Sequence, residues 1–207
     1  MEQCGMTPAV IVINGSPRKN GTIARLLHAV ADSCGTSGDV HWYDVQNMII
    51  RPCTGCMKCR STGTCVLPHD DAHTFAEDIR VCRAVIVGTP VYWGNMSGQL
   101  KLLFDRVVPS LMCESPHGIP VPLHKGKKAI IVTACTTPWP FSVLFGQTGH
   151  AVRALREILR YAGFCITGTL VLPGTKNRHG IPERLQRKGN RLGKKLSGQI
   201  IKKGYKI

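Results

Sequence analysis

The stretch Ala9-Val10-Ile11-Val12-Ile13-Asn14-Gly15-Ser16-Pro17-Arg18-Lys19-Asn20-Gly21-Thr22 joins an apolar run to a polar loop and to the start of a second apolar pattern. Residues 9–13 have no polar position, as in a parallel strand that is covered on both faces. Beyond the loop, apolar residues recur at the spacing of an amphipathic helix: Ile23, Leu26, Leu27 and Val30. This order of strand, loop and helix predicts the first half of a β/α unit.

The polar loop has the residue types that hold a phosphate at the N-terminus of a helix. Such a terminus carries unpaired N–H groups and a partial positive charge, so it attracts anions. Thr22 is the expected N-cap of the helix. The loop matches neither G-x-G-x-x-G nor G-x-x-x-x-G-K-[ST], which disfavours a Rossmann dinucleotide site and a P-loop. The candidate phosphate contacts are Ser16, Arg18, Asn20, Gly21 and Thr22.

Four further apolar runs continue the pattern, and the chain reads as five β/α units in a single domain, residues 1–207. We expect these strands at 40–45, 82–87, 127–134 and 164–172. Right-handed crossovers and short connections favour an α/β three-layer sandwich of the flavodoxin-like class. Its five-stranded parallel sheet would have the order 2-1-3-4-5, with the ligand where the order reverses. The proline-rich segment 109–122 reads as a loop.

A second key loop, Thr89-Pro90-Val91-Tyr92-Trp93-Gly94, follows the third predicted strand. Pro90 disfavours helix at the residue before it, and Gly94 permits a positive φ. The loop can therefore wrap a flat ring with its amides, while Tyr92 and Trp93 offer aromatic faces. Together with the phosphate loop, it makes a flavin nucleotide the leading ligand. Alternatively, the two aromatic residues pack in the core or against a second subunit.

Several motifs resemble the NADPH-dependent FMN reductase family, and most closely its iron–sulfur flavoprotein branch. They are Gly15-Ser16-Pro17-Arg18, Gly21-Thr22, Gly88-Thr89-Pro90-Val91-Tyr92-Trp93-Gly94 and Leu100-Lys101-Leu102-Leu103-Phe104-Asp105-Arg106. The resemblance implies bound FMN, reduction by NAD(P)H, and a homodimer or homotetramer with the flavin near the interface. It implies that the first loop holds the phosphate. The ring would be held by Pro90, Val91, Tyr92, Trp93 and Gly94, and a third wall would come from Thr133, Cys135 and Thr136.

A cysteine-rich insertion spans residues 52–68. Its thiols have the spacing C-x2-C-x2-C-x5-C, at Cys53, Cys56, Cys59 and Cys65. This approaches the ferredoxin pattern, and the resemblance implies a 4Fe–4S cluster, but zinc bound by four thiolates and a segment without metal stay open. His69 and His73 follow the insertion, and we expect surface roles for them. Cys82 and Cys165 begin predicted strands and are expected to be buried.

Composition and charge limit the other function classes. Of 207 residues, 43% are hydrophobic and 19% are charged, which is typical of a globular protein. No apolar run reaches the roughly 20 residues of a membrane span. Residues 1–4 lack the basic and apolar regions of a signal peptide, so we expect a cytoplasmic protein without a membrane partner. Residues 176–207 carry 11 Lys and Arg and one acidic residue. We read them as the solvated face of a last helix, 181–207, rather than as a nucleic-acid site.

The sequence therefore predicts an FMN-dependent NAD(P)H oxidoreductase that passes electrons to a small acceptor, such as a quinone or a flavin, or to a protein partner. Hydride transfer to a flavin needs position and electrostatics rather than a side-chain acid or base, so no catalytic residue is expected. One alternative is an iron–sulfur flavoprotein electron carrier that is reduced by ferredoxin. A basic protein that binds nucleic acid or a membrane is the remaining alternative.

Overall fold

The computed structural model describes residues 10–34, 40–176, 178 and 180–202. Within them, a five-stranded parallel sheet has the strand order 2-1-3-4-5 when its strands are numbered along the chain. The predicted strand order is thus confirmed. Ala9 and the tail beyond residue 202 lie outside the described residues. The strands are β1 (Val10–Asn14), β2 (Val40–Asp44), β3 (Ala84–Pro90), β6 (Lys128–Ala134) and β7 (Cys165–Leu172).

Helices cover both faces of this sheet, and the central strands are accordingly buried along almost their whole length. Successive side chains of a strand point to opposite faces. Ile11 and Ile13 of β1 accordingly pack in one core cluster, whereas Val10 and Val12 pack in the other. The first cluster lies under α3 (Asp71–Val81), α4 (Gly98–Arg106) and α7 (Gln147–Tyr161), and the second lies under α1 (Thr22–Ala31) and α8 (Glu183–Lys202).

Short elements complete the described chain. They are α2 (Cys59–Thr62), α5 (Val108–Leu111), α6 (Phe141–Leu144), two 3-10 turns (Asp32–Cys34 and Val45–Asn47), and the antiparallel strands β4 (Met112–Glu114) and β5 (Pro120–Pro122). The hairpin of β4 and β5 corrects the prediction of a loop at 109–122. Its turn closes through a hydrogen bond from Gly118 N to Ser115 O of 2.9 Å. Prolines are tolerated there because the hairpin is separate from the main sheet.

Helix α8 differs from the prediction in its start, since it begins at Glu183 rather than at residue 181. Its small residues Gly189 and Gly193 face α1, because a Cβ built on Gly193 would clash with Val30 O and one built on Gly189 would lie 3.0 Å from Ala29 Cβ. None of the helices in the described ranges is long and apolar enough to cross a bilayer. The exposed face of α8 carries Arg184, Arg187, Lys188, Arg191, Lys194 and Lys195.

Candidate functional site

Three of the sequence-predicted segments leave the same edge of the sheet. Asn14, the last residue of β1, pairs in register with Gly88 of β3. Two positions further along β3, Pro90 pairs with Ala134, the last residue of β6. The loops after β1, β3 and β6 are therefore neighbours at the carboxyl edge, where the strand order reverses.

Side-chain hydrogen bonds set the path of the first loop. Asn14 Nδ2 donates to Asp44 Oδ1 of β2 (2.8 Å), and Asn14 Oδ1 accepts from Ser16 N (3.1 Å). Ser16 Oγ in turn accepts from Arg18 N (3.2 Å). Asn14 and Asp44 were not predicted as site residues. A polar residue at the end of an otherwise apolar strand is the signal that marks Asn14 in the sequence.

The loop ends at the N-terminus of α1, where no acidic side chain of the helix would compete with a bound anion. Gly21 is the N-cap, which corrects the prediction of Thr22 and leaves Thr22 in the first helical turn. Among the described residues, no side chain caps this terminus and no acid lies in its first turn. A Cβ on Gly21 would lie only 2.8 Å from Arg18 Cβ, so glycine lets Arg18 fold back over the turn. Arg18 and Asn20 are exposed, and the arrangement suits a bound phosphate.

The second loop is held by backbone pairing while its aromatic residues stay free. Strand β3 continues to Pro90, three residues beyond the predicted end. Tyr92 and Asn95 exchange two backbone hydrogen bonds of 2.9 Å, and Trp93 and Gly94 between them have φ of 51° and 75°. The Trp93 side chain is fully exposed, at 104% of its reference surface. The rings of Tyr92 and Trp93 are thus presented to a ligand or to a second chain, whereas the amides of Tyr92 and Asn95 are used in pairing the turn.

A buried serine joins the second loop to the first. Ser97 Oγ donates to Gly15 O (2.6 Å), and Ser97 N donates to Thr89 Oγ1 (2.9 Å). Both contacts are buried, and through Ser97 they link the loop after β1 directly to the loop after β3. Sequence reasoning missed Ser97, because its partners lie 82 and 8 residues away along the chain.

The predicted third wall is only partly accessible. Thr133 has no exposed surface, so it supports the wall from inside and does not reach its surface. Cys135 is also buried, and its thiol donates to Thr137 O (3.3 Å). Thr136 is exposed. Beyond it runs an apolar segment whose large side chains are exposed at Trp139, Phe141, Val143, Leu144 and Phe145.

The four predicted metal ligands line one cavity of about 190 Å³, although they come from different turns of the insertion. Burial and the neighbouring thiols of Cys65, Cys53 and Cys56 raise the pKa of Cys59. A hydrogen bond from the Lys58 backbone lowers the pKa of Cys56. In the described ranges, no three His, Cys, Asp or Glu side chains converge as they would around a single metal ion. Four thiols around one cavity are a donor set that both a 4Fe–4S cluster and a zinc ion accept.

The hairpin of β4 and β5 supplies another wall of this cavity. Arg60 of α2 forms an ion pair of 3.1 Å with Glu114 of β4, which ties the insertion to the hairpin. Cys113 of β4 lines the cavity as a fifth thiol that the sequence did not indicate. Of the two cysteines predicted to be buried, Cys82 is buried, but Cys165 is exposed because it begins the edge strand β7.

A buried ion pair supports the floor of the cavity. Arg106 Nη1 and Nη2 donate to the two carboxylate oxygens of Asp70, at 2.8 and 3.2 Å. Burial acts to raise the pKa of Asp70, but hydrogen bonds from the Arg51 N–H and from Arg106 hold that pKa below its ordinary value. Asp70 is also the N-cap of α3 and shares a capping box with His73. His73 is only 16% exposed and contacts Cys65 O at 3.1 Å, which corrects the expected surface role.

Known proteins have sequences related to this chain. An iron-sulfur flavoprotein of Methanocaldococcus jannaschii is 33% identical over 101 residues, 48% of this chain and 52% of that protein. An iron-sulfur flavoprotein of Clostridioides difficile is 26% identical over 190 residues, 90% of this chain and 77% of that protein. The chain spans about half the length of most curated relatives it matches.

The fold is shared with solved oxidoreductases. An NAD(P)H:quinone oxidoreductase from Methanothermobacter marburgensis superposes with a TM-score of 0.68 at 16% identity, over 92% of this chain and 100% of that one. At this identity the likeness shows the fold alone. The model of the NADPH-dependent FMN reductase family matches residues 8–175, which include all three loops and the cysteine insertion. The chain therefore belongs to the NADPH-dependent FMN reductase family.

Proposed function

We propose that the protein is an FMN-dependent oxidoreductase that takes electrons from NAD(P)H and passes them to a small acceptor or to a protein partner. The observation that carries the proposal is the meeting of the uncapped N-terminus of α1 with the aromatic turn after β3 at one sheet edge. When bound, FMN supplies reversible two-electron and one-electron chemistry. The polypeptide supplies position, electrostatics and exclusion of water.

Each loop has a separate part in this proposal. The hydroxyls of Ser16 and Thr22 and the guanidinium of Arg18 would bind the phosphate, together with Asn20. Gly21 would let the phosphate approach the backbone closely, because it has no side chain. The segment from Pro90 to Gly94 would hold the ring, with Thr136 opposite. Buried Thr133 and Cys135 would keep that wall rigid. No described side chain in these loops is required as an acid or base, because hydride transfer needs neither.

The test is anaerobic reduction of the FMN-loaded protein with NADPH and, separately, with NADH. We expect loss of the oxidised flavin absorbance with at least one of them, followed by recovery on addition of a quinone. An Arg18→Ala variant should need a higher FMN concentration for the same effect. Flavin that binds but stays oxidised with both nucleotides would contradict the reductase activity while leaving FMN binding intact.

For the cysteine cavity, we propose a 4Fe–4S cluster on Cys53, Cys56, Cys59 and Cys65. The shared cavity and the names of the two relatives support it. The group would supply single-electron transfer. Anaerobic reconstitution should give about four irons per chain, and the Cys56→Ser variant should lose most of them. Cys165→Ser is the matched control, since Cys165 is an exposed thiol outside the cavity. Equal iron content in both variants would contradict the assignment.

The cysteine cavity also favours a second candidate function, that of an electron carrier reduced by ferredoxin. Such a protein would accept single electrons at the cavity and need no nicotinamide. Stopped-flow reduction separates the two functions. Reduction by ferredoxin that is far faster than reduction by NADPH or NADH would select the carrier, and the reverse would select the reductase.

We also propose that a second copy of the chain covers the apolar segment 139–145. Phe141 and Phe145 stack with ring centroids 6.1 Å apart, and both are more than half exposed. The adjoining helix α7 places His150 beside Gly94 of the ring loop, so the apolar segment continues into the proposed flavin site. Light scattering should give a dimer or tetramer that Leu144→Lys dissociates. An unchanged mass for that variant would contradict this interface.

A further inference from the structure

Arg106 is a buried cation at the end of α4, and its side chain has no exposed surface. A guanidinium carries five N–H donors in a fixed plane and always keeps its charge. Here Nη1 donates to Arg51 O and to Asp70 Oδ2, and Nη2 donates to Asp70 Oδ1. Among the described residues, Arg106 Nε is buried and has no hydrogen-bond partner. Leaving a buried donor unsatisfied costs free energy, so an acceptor is expected for it.

Cys65 is the side chain that can supply this acceptor, because Arg106 and Cys65 line the same cavity. Burial acts to lower the pKa of Arg106, but the carboxylate of Asp70 and the nearby Cys65 side chain raise that pKa above its ordinary value. His73 fixes the other side of this residue through its contact with Cys65 O, at 3.1 Å. The carboxylate of Asp70 holds both the Arg106 and the His73 side chains. Cys65 is therefore seated between two side chains that one buried carboxylate orients.

We infer that Arg106 is a positioning residue that donates its Nε–H to the sulfur of Cys65 and raises the reduction potential of the group bound there. The inference rests on the proposed cluster. A hydrogen bond to a ligand sulfur and a nearby positive charge both stabilise the reduced, more negative form. A purely structural role, in which Arg106 links α3 to α4 by pairing with Asp70, accounts for the hydrogen bonds of Nη1 and Nη2. It does not account for the third donor, Nε–H, which has no partner in the described residues.

The test is a redox titration of the reconstituted cluster in the wild-type protein and in Arg106→Lys. Lysine keeps the charge but loses the planar Nε donor. We expect a lower midpoint potential, equal to a roughly tenfold change in the equilibrium constant for one-electron reduction, about 59 mV. Arg60→Lys is the matched control, because Arg60 lines the same cavity but is 54% exposed and paired with Glu114. Its potential should stay at the wild-type value.

A second measurement needs no variant, in case Arg106→Lys does not fold. Pulsed ENDOR of the reduced wild-type cluster, with isotopically labelled arginine, should detect a coupled arginine nitrogen with an exchangeable proton. Loss of the proton coupling in samples exchanged into D2O, while the nitrogen coupling stays, would identify the donated N–H. Absence of any arginine coupling, or equal potentials in the wild type and in Arg106→Lys, would overturn the inference alone. A wild-type protein that binds no iron would overturn the proposed cluster and this inference together.

Discussion

Asn14 and Asp44 join the ends of two neighbouring strands through a side-chain hydrogen bond of 2.8 Å, and the same Asn14 amide receives Ser16 N at 3.1 Å. Asn14 is 1% exposed. One buried amide thus ties the second strand, the first strand and the candidate phosphate loop together. The start of the loop is therefore ordered before a ligand binds, which reduces the loss of conformational entropy on binding.

The first prediction follows from this amide. Asn14→Ala removes both hydrogen bonds and leaves the loop free to move, so we expect roughly tenfold weaker FMN binding, about 1.4 kcal/mol. Isothermal titration of the apoprotein with FMN measures it. Asn47→Ala is the control, since Asn47 is an exposed residue of a nearby 3-10 turn. Equal affinities in Asn14→Ala and wild type would show that the loop does not depend on the amide.

The second prediction separates the phosphate from the ring. In Gly21→Ala the new Cβ would lie 2.8 Å from Arg18 Cβ, so Arg18 must leave its place over the turn. We expect FMN affinity to fall roughly tenfold through loss of a charge-assisted contact, while riboflavin, which has no phosphate, binds as in the wild type. Gly98→Ala adds a methyl where nothing lies within 4 Å and should change neither affinity. If the affinity for riboflavin falls as much as the affinity for FMN, Arg18 does not act on the phosphate.

The sequence predicted the sheet better than the site, for a physical reason. Strand and helix periodicity are local, and the apolar run of β1 predicts a strand buried on both faces whatever lies around it. The pair of Arg106 and Asp70 depends on residues 36 positions apart that only the fold brings together. Periodicity also says that a helix face is buried without saying what covers it. Gly193, for example, packs against Val30 of α1, a neighbour that the spacing of the apolar residues does not identify.

The third prediction concerns pH. His124 is buried, stacks on Phe164, and donates from Nε2 to Ser110 O at 2.7 Å, which leaves Nδ1 without a partner in the described residues. Burial, and then the charges of Lys127 and Arg80, lower the pKa of His124 to about 4. In the folded state His124 therefore stays neutral in a pH range where the same side chain in the unfolded chain, with a pKa of about 6.5, becomes protonated.

Stability from His124 is therefore present above the unfolded pKa and is lost as the pH falls from about 6.5 towards 4. Between pH 7 and pH 5, this residue should lower the free energy of unfolding by about 2 kcal/mol. Urea unfolding at both pH values measures the loss, which should shrink by that amount in His124→Asn. The exposed His117→Asn should keep the wild-type pH dependence. If the free energy of unfolding of His124→Asn falls between pH 7 and pH 5 as much as that of the wild type, groups other than His124 cause the effect.

The last prediction tests the packing of α8 on α1 with two glycines of one helix. In Gly193→Ala the Cβ would clash with Val30 O and would lie 2.9 Å from Ser33 Cβ, so the helices must separate. We expect a loss of about 1–3 kcal/mol in the free energy of unfolding, as for other overpacked contacts. In Gly198→Ala the methyl meets nothing within 4 Å, and the better helix propensity of alanine should add up to about 1 kcal/mol. Because both changes have the same intrinsic propensity effect, opposite signs in urea unfolding would isolate the contact with α1. If both variants gain stability, α8 does not pack against α1 closely enough for a Cβ at position 193 to clash with Val30 O.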